Sequence, residues 1–255
     1  EEWCKYNNIK FYVKKFDHIK RGEIKRSDYE AYTRTLRFNF YKDIISKENC
    51  DKILLGHHKD DIVENIIANV CRGRNLLDLA VIKENTVVNG VKMNRPFINI
   101  YKDDIYQFAH NNNVPYFKDT TPIWSVRGKY RSNIHYNLED AFGKNLKENL
   151  LGLSRQSDEW NGLITKQIVN PFLELVQYND DEKSVYFNVT YYLNYPLCFW
   201  NLIFANIFNK YGKNCPSKKG ILTFMRSIPG INKVSLSDNC CCKVVNNKVY
   251  INFKK

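Results

Sequence analysis

The chain contains no run of 18 apolar residues, so it offers no helix able to cross a membrane. Its opening residues, EEWCKYNN, have neither a basic start nor an apolar stretch, and no secretory signal is read there. None of the eight cysteines forms a CxxC pair. The triplet Cys240-Cys241-Cys242 has no histidine or second pair at zinc spacing. Neighbouring side chains on a strand alternate faces, so three adjacent thiols do not chelate one ion easily. Reduced cysteines, some of them buried, are expected, in a cytoplasmic or organellar compartment. Acidic residues are comparatively few: 27 Asp and Glu stand against 39 Lys and Arg, leaving a net charge of +12. Such an excess is the electrostatic footprint of a phosphate-rich partner, nucleic acid above all. Hydrophobic residues at 44% and aromatics at 14% rule out a disordered chain and suffice for a sizeable core.

The length of 255 residues suits one large domain or two modest ones. Ile9 to Val13 alternates with period two and predicts a strand. Asp28 to Ile45 carries Tyr29, Tyr32, Leu36, Phe40 and Ile44 at helical spacing. Lys52 to Gly56 is a short apolar run typical of a buried parallel strand. Asp61 to Cys71 returns to helical spacing, Asn89-Gly90 marks a hairpin, and Asp103 to Asn111 predicts another helix. The alternation argues for an α/β fold with a parallel sheet flanked by helices. From about residue 146 the character changes. Asn137 to Val176 reads as mostly helical, Tyr195 to Tyr211 as strongly apolar, and Ser217 to Ser227 as a short helix. Three short strands follow, over Lys233 to Leu236, Cys242 to Val245 and Lys248 to Phe253, the last two joined at Asn246-Asn247. A first domain over 1–145 and a smaller α+β domain over 146–255 are expected.

The most informative segment is Gly56-His57-His58-Lys59-Asp60-Asp61-Ile62-Val63-Glu64-Asn65. It follows a buried strand and opens a helix, where an α/β sheet presents backbone N–H groups and a positive helix end. Asp60, Asp61 and Glu64 lie within one helical turn and can converge on Mg²⁺ or a substrate amine. Asp61-x-x-Glu64 is equally a capping-box variant that would merely satisfy helix N–H groups. Two adjacent histidines are not needed for capping and favour a site.

GHHKDDIVENIIANVCRGRNLLDLA resembles the GHHxDDxxET…RG segment of the tRNA(Ile)-lysidine synthetases, N-type ATP pyrophosphatases of the PP-loop superfamily. Further pieces match in order. Glu30-Ala31 through Arg34, Leu36, Arg37 and Phe38 is similar to the family's EAR…RY helix, and Arg95-Pro96-Phe97 to its RPL strand end. Val114-Pro115-Tyr116 through Asp119-Thr120-Thr121 resembles the LPyxxDpSN stretch, and Arg127 to Ile134 the RNxIR box. The tail from Pro216 is similar to the family's second domain. There are three departures. The phosphate loop SGGxDS does not occur, and no two glycines are adjacent, so ATP phosphates are not cradled in the family's way. The expectation is a chain that begins past the first strand and phosphate loop of a longer protein, with lost catalysis as the alternative. Asn65 and Ile62 replace a threonine and a glutamine. His135 replaces the last arginine of RNxIR, and histidine lacks arginine's bidentate grip on phosphate.

The resemblance implies an ATP- and Mg²⁺-dependent ligase that adenylates the wobble cytidine of a tRNA anticodon stem-loop. Free L-lysine then displaces AMP. It implies catalytic roles for Asp61, Glu64 and Arg37, with Asp61 also a candidate Mg²⁺ ligand. It implies nucleotide contacts for His57, His58 and Asp60, and tRNA contacts for Arg127, Lys129 and Arg131. It also implies that the C-terminal domain meets tRNA, with no membrane partner and a homodimer as one admissible assembly. Rival readings are a tRNA thiolation enzyme, which usually carries CxxC pairs, a catalytically inactive tRNA-binding or assembly subunit, and a small-molecule synthetase, which would not need such a charge.

Overall fold

The computed structural model describes residues 1–16, 23–117, 121–228, 232–237 and 240–253. It divides into two compact units, Glu1–Asp158 and Glu159–Lys255. The division falls inside a helix rather than near residue 145, because the first part of that helix packs with the first unit: Leu151 shares a cluster with Val63, Ile66 and Ala80. No helix among the described residues is long and apolar enough to cross a membrane.

The first unit runs through α1 (Glu2–Tyr6), α2 (Arg26–Glu48), β1 (Ile53–Leu54), α3 (Lys59–Cys71), β2 (Asn85–Val88), β3 (Val91–Asn94) and α4 (Lys102–Asn111). Then come α5 (Val126–Lys129), a π-helical turn over Tyr130–Ile134, α6 (His135–Phe142) and α7 (Leu146–Ile164). The sheet order is β1-β3-β2. β1 pairs with β3 in parallel, and β2 pairs with β3 antiparallel through the expected hairpin. Asn89 and Gly90 turn that hairpin at φ of 51° and 78°, the left-handed conformation that this pair tolerates. The fold is α/β as expected, with a mixed sheet among the described residues. Ile9 to Val13 is not a strand. Among the described residues it has no ladder partner, and Ile9, Phe11 and Val13 stay exposed. Alternation specifies a strand only where a neighbour pairs with it and buries one face. The expected long helix from Asn137 breaks at Gly143, whose φ of 84° ends α6. Lys118, Asp119 and Thr120, part of the motif after Val114, lie outside the described residues, as do Pro229, Gly230 and Ile231 of the tail.

The second unit begins in the remainder of α7. It adds a π-helical turn over Thr165–Val169, α8 (Asn170–Glu174), β4 (Gln177–Asn179), β5 (Ser184–Asn188), α9 (Leu197–Lys210) and α10 (Lys218–Ser227). Strands β6 (Asn232–Ser237), β7 (Cys240–Val245) and β8 (Lys248–Phe253) complete it. Its sheet has the order β4-β5-β8-β7-β6 and is antiparallel throughout. One face meets α9 and α10: Trp200, Phe204, Ile207, Ile221 and Phe224 are fully buried with Phe187, Val249 and Ile251. That burial explains why α9 is apolar around most of its circumference. The cysteine triplet follows the pleat. Cys240 and Cys242 point into this core, and burial pushes both thiols up to about 12, while Cys241 faces outward.

Candidate active site

The end of β1 leads through Gly56 and His57 to His58, the extended residue that precedes α3. Lys59 N–H donates to the Ile100 carbonyl at 2.9 Å, which fastens the start of α3 beside the start of α4. The three acids of the motif then divide their work. Asp61 Oδ2 accepts the His58 N–H at 3.1 Å, the backward half of a capping box. Its Oδ1 accepts from Arg131 Nη2 at 3.0 Å. Glu64 is bracketed by two arginines, Arg127 Nε at 2.7 Å and Arg131 Nε at 2.8 Å. Asp60 Oδ2 accepts the Lys102 N–H at the head of α4 at 2.8 Å, and its Oδ1 meets Lys147 Nζ at 3.0 Å. Burial works against ionisation of Asp60, but these donors hold its carboxyl below the usual range. Lys147 is raised by the same pairing in spite of its own burial.

Arg127 and Arg131 reach the acids from α5 and the π-helical turn that continues it. Inserted π turns of this kind often re-aim side chains at functional sites. Ser125 caps α5 by accepting the Gly128 N–H at 3.0 Å. Gly128 is required there, since a Cβ would sit 2.0 Å from the Pro122 carbonyl oxygen. Gly128→Ala is expected to displace the helix start and cost about 2 kcal/mol of stability, the usual price of overpacking. A urea midpoint equal to that of the parent protein would contradict this.

A cavity of about 540 Å³ opens beside the acids, lined by His58, Asp60 and Glu64, by Lys102, Asp103 and Tyr106, and by Tyr130, Arg131, His135, Tyr136, Glu139 and Lys147 with Val63. Among the described residues, three buried polar atoms of its lining have no hydrogen-bond partner: His58 Nδ1, Tyr130 OH and His135 Nδ1. Orphaned groups of this kind are rare in folded proteins and mark places where something else bonds. Burial lowers His58 below the ordinary histidine value, against the pull of Asp61 and Asp60. Burial also pushes Tyr130 up to about 12, aided by the charges of Glu64, Asp60 and Glu139. Glu139 is loosely compensated: His135 Nε2 lies at 3.4 Å and Lys147 Nζ at 3.9 Å.

His58, Asp60, Glu64 and Arg131 therefore line one cavity, with Asp61 and Arg127 bonded into the same network. His57 stands apart, lowered by burial and accepting from Arg95 Nε at 3.3 Å. Buried Arg95, the arginine of Arg95-Pro96-Phe97, also donates to the Lys83 carbonyl at 2.6 Å and to Thr86 Oγ1 at 3.0 Å. Lys129 is exposed beside Ile123, Trp124 and Ile134. Arg37 is exposed on α2, and among the described residues no hydrogen bond or ion pair joins it to the acids. Lys147, Glu139 and Tyr130 were not anticipated, and His135 was noted only as a departure from RNxIR. Asp61, the candidate Mg²⁺ ligand, has one oxygen on the His58 N–H and the other on Arg131, and among the described residues no group of three His, Cys, Asp or Glu is placed to hold a metal ion.

A model of the PP-loop domain matches residues 1–133. The chain belongs to the PP-loop family. This PP-loop chain thus carries an adenine nucleotide alpha hydrolase-like α/β domain, and its family implies the use of ATP. Curated relatives bear out the resemblance to lysidine synthetases. A tRNA(Ile)-lysidine synthase of Mycoplasmopsis pulmonis is 34% identical over 137 residues, 52% of this chain and 46% of the relative. One from Chlamydia felis is 29% identical over 163 residues, 63% of this chain and 51% of the relative. The bifunctional protein TilS/HprT of Listeria innocua is 26% identical over 226 residues, 75% of this chain and 35% of the relative. The chain spans about half the length, or less, of these relatives. A solved U34-tRNA thiolase NcsA from Methanococcus maripaludis has a TM-score of 0.44 at 19% identity, over 63% of this chain and 54% of that one, too loose a likeness to argue from.

Proposed function

We propose that this PP-loop protein performs the ATP-dependent attachment of lysine to an anticodon cytidine of tRNA. The observation that carries the reading is the cavity beside the His57 to Glu64 motif, lined by carboxylates and by three buried polar atoms without partners. A free amino acid enters as an ammonium ion and must lose a proton before it attacks. Glu139, flanked at 3.4 and 3.9 Å, offers the ammonium its charge complement. His58, kept neutral by burial, presents an Nδ1 that makes no hydrogen bond among the described residues and can take the proton, with Asp60 Oδ2 3.7 Å away. Tyr130 OH and His135 Nδ1 supply further bonds to orient the amine. Arg127 and Arg131, which the motif suggests for RNA phosphates, are also what fixes Glu64 and Asp61 at the rim.

Labelled lysine, ATP and an unmodified tRNA(Ile) with a CAU anticodon, mixed with the full-length protein, should yield lysine-bearing tRNA. Intact tRNA binding without incorporation would instead point to a tRNA-binding subunit that performs no transfer. The net charge of +12 adds an expectation for the binding step. Neutralising about six phosphates gives a log–log salt slope of about −4 to −5. A tRNA affinity unchanged between about 50 and 200 mM salt would remove the electrostatic basis of the reading.

A further inference from the structure

The sheet of the second unit shows α9 and α10 one face only. On its other face the ladder registers place Gln177 beside Tyr186, Tyr186 beside Tyr250, Tyr250 beside Lys243, and Lys243 beside Lys233. One cross-strand row thus runs over all five strands, with two tyrosines at its centre and two lysines at one end. The tyrosine rings lie 5.0 Å apart between centroids and tilt by 38°. Tyr250 is 40% exposed, Lys243 and Lys233 are exposed, and Tyr186 is half-buried. Lys248 adds a third cation on the same face, one row away at the start of β8. No outward position of the five strands carries an acid; Asp180, Asp181 and Glu182 lie in the β4–β5 turn.

This composition is unusual for an ordinary solvated face. Paired outward tyrosines are not needed by the core, and a solvated sheet commonly mixes charges of both signs. We propose that this face binds unpaired RNA nucleotides, stacking bases on Tyr186 and Tyr250 while Lys243, Lys233 and Lys248 meet the backbone phosphates; this rests on the reading above that RNA is the partner. The physics is general. Every base has a π-face, so rigid aromatic side chains on an open sheet hold single strands with little sequence preference, and cations follow the backbone. Duplex RNA keeps its bases stacked on one another and cannot use the tyrosines.

The test is fluorescence anisotropy of the full chain with a single-stranded RNA of about twelve nucleotides and with a duplex of equal length. Replacing Tyr186 and Tyr250 together with Ala should weaken single-strand binding roughly tenfold or more and leave duplex binding unchanged. Tyr250→Phe keeps the π-face and should bind as the parent does. Lys243→Ala should flatten the single-strand salt slope by about 0.7. Thermal melts of each variant confirm the fold. The proposal is overturned if the double alanine variant binds the single strand as the parent does, or loses duplex binding equally. It is also overturned if light scattering shows the double variant dissolving a dimer while sparing RNA binding, which would make the face a contact between copies. A parent protein that binds neither RNA would bring down the RNA reading as a whole, whereas unaltered variants on a binding parent remove this inference alone.

Discussion

Replacing Arg131 with Met should lower the stability of the first unit by about 3 kcal/mol, read as a fall in the urea midpoint at unchanged slope. The side chain ties two carboxylates that are nearly out of solvent: the Glu64 side chain is 6% exposed and that of Asp61 is 11% exposed. Removing one partner of a buried pair leaves an uncompensated charge and typically costs about 3–5 kcal/mol. The lower end applies because the Arg131 side chain is itself 36% exposed and water can partly replace it. Glu64 keeps Arg127, so Asp61 is the group left exposed to the loss. Arg127→Met supplies the contrast. Its side chain is 57% exposed, and its removal should cost no more than about 1 kcal/mol. Combining Arg131→Met with Asp61→Asn should recover part of the loss, because the orphaned charge disappears. Equal midpoints for the Arg131 and Arg127 variants would show that the Asp61–Arg131–Glu64 bridge is ornamental.

How much of this was legible in the residues depends on the range of each interaction. The hairpin at Asn89-Gly90, the helix after His58 and the three C-terminal strands rest on neighbouring residues, and all were readable. Ile9 to Val13 shows the limit of pattern alone, since alternation states a preference and says nothing about a partner strand. The strands β4 and β5 escaped notice because they are short, and β5, on which β4 pairs, is joined to the rest of the sheet by β8, 60 to 68 residues on. The site divides in the same way. His57, His58, Asp60, Asp61 and Glu64 announce themselves by local spacing. Asp61 caps His58 only three residues back, but its role as arginine partner, and that of Asp60 as a clamp on α4 and Lys147, depend on residues 42 to 87 positions away, to which no spacing rule points. The spacing Asp61-x-x-Glu64 suggests a capping box, but the box that forms pairs His58 with Asp61, and Glu64 is held by arginines instead. The structure assigns one oxygen of Asp61 to capping and the other to Arg131, while Asp60 and Glu64 face the cavity.

His58→Asn is expected to reduce lysine transfer by about a hundredfold or more while leaving tRNA affinity and melting temperature close to the parent's. A positioned general base contributes about 10²–10⁴ in rate, and His58 is the cavity's candidate for that role because its buried Nδ1 makes no hydrogen bond among the described residues, with Asp60 Oδ2 3.7 Å away. Asparagine suits the control. It is among the best residues at a helix N-cap, so the start of α3 and the His58 N–H bond to Asp61 have no reason to fail. It cannot accept a proton from an ammonium. The pH profile adds a readout that a structural role would not move. Burial lowers the His58 value, so the neutral, proton-accepting form persists as pH falls from 8 to about 6.5, the ordinary histidine value. The parent rate should therefore lose its His58-dependent part only below about pH 6.5. The variant should show no such limb. A variant that transfers lysine at the parent's rate, or that keeps the same acid limb, would take the proton-accepting role away from His58.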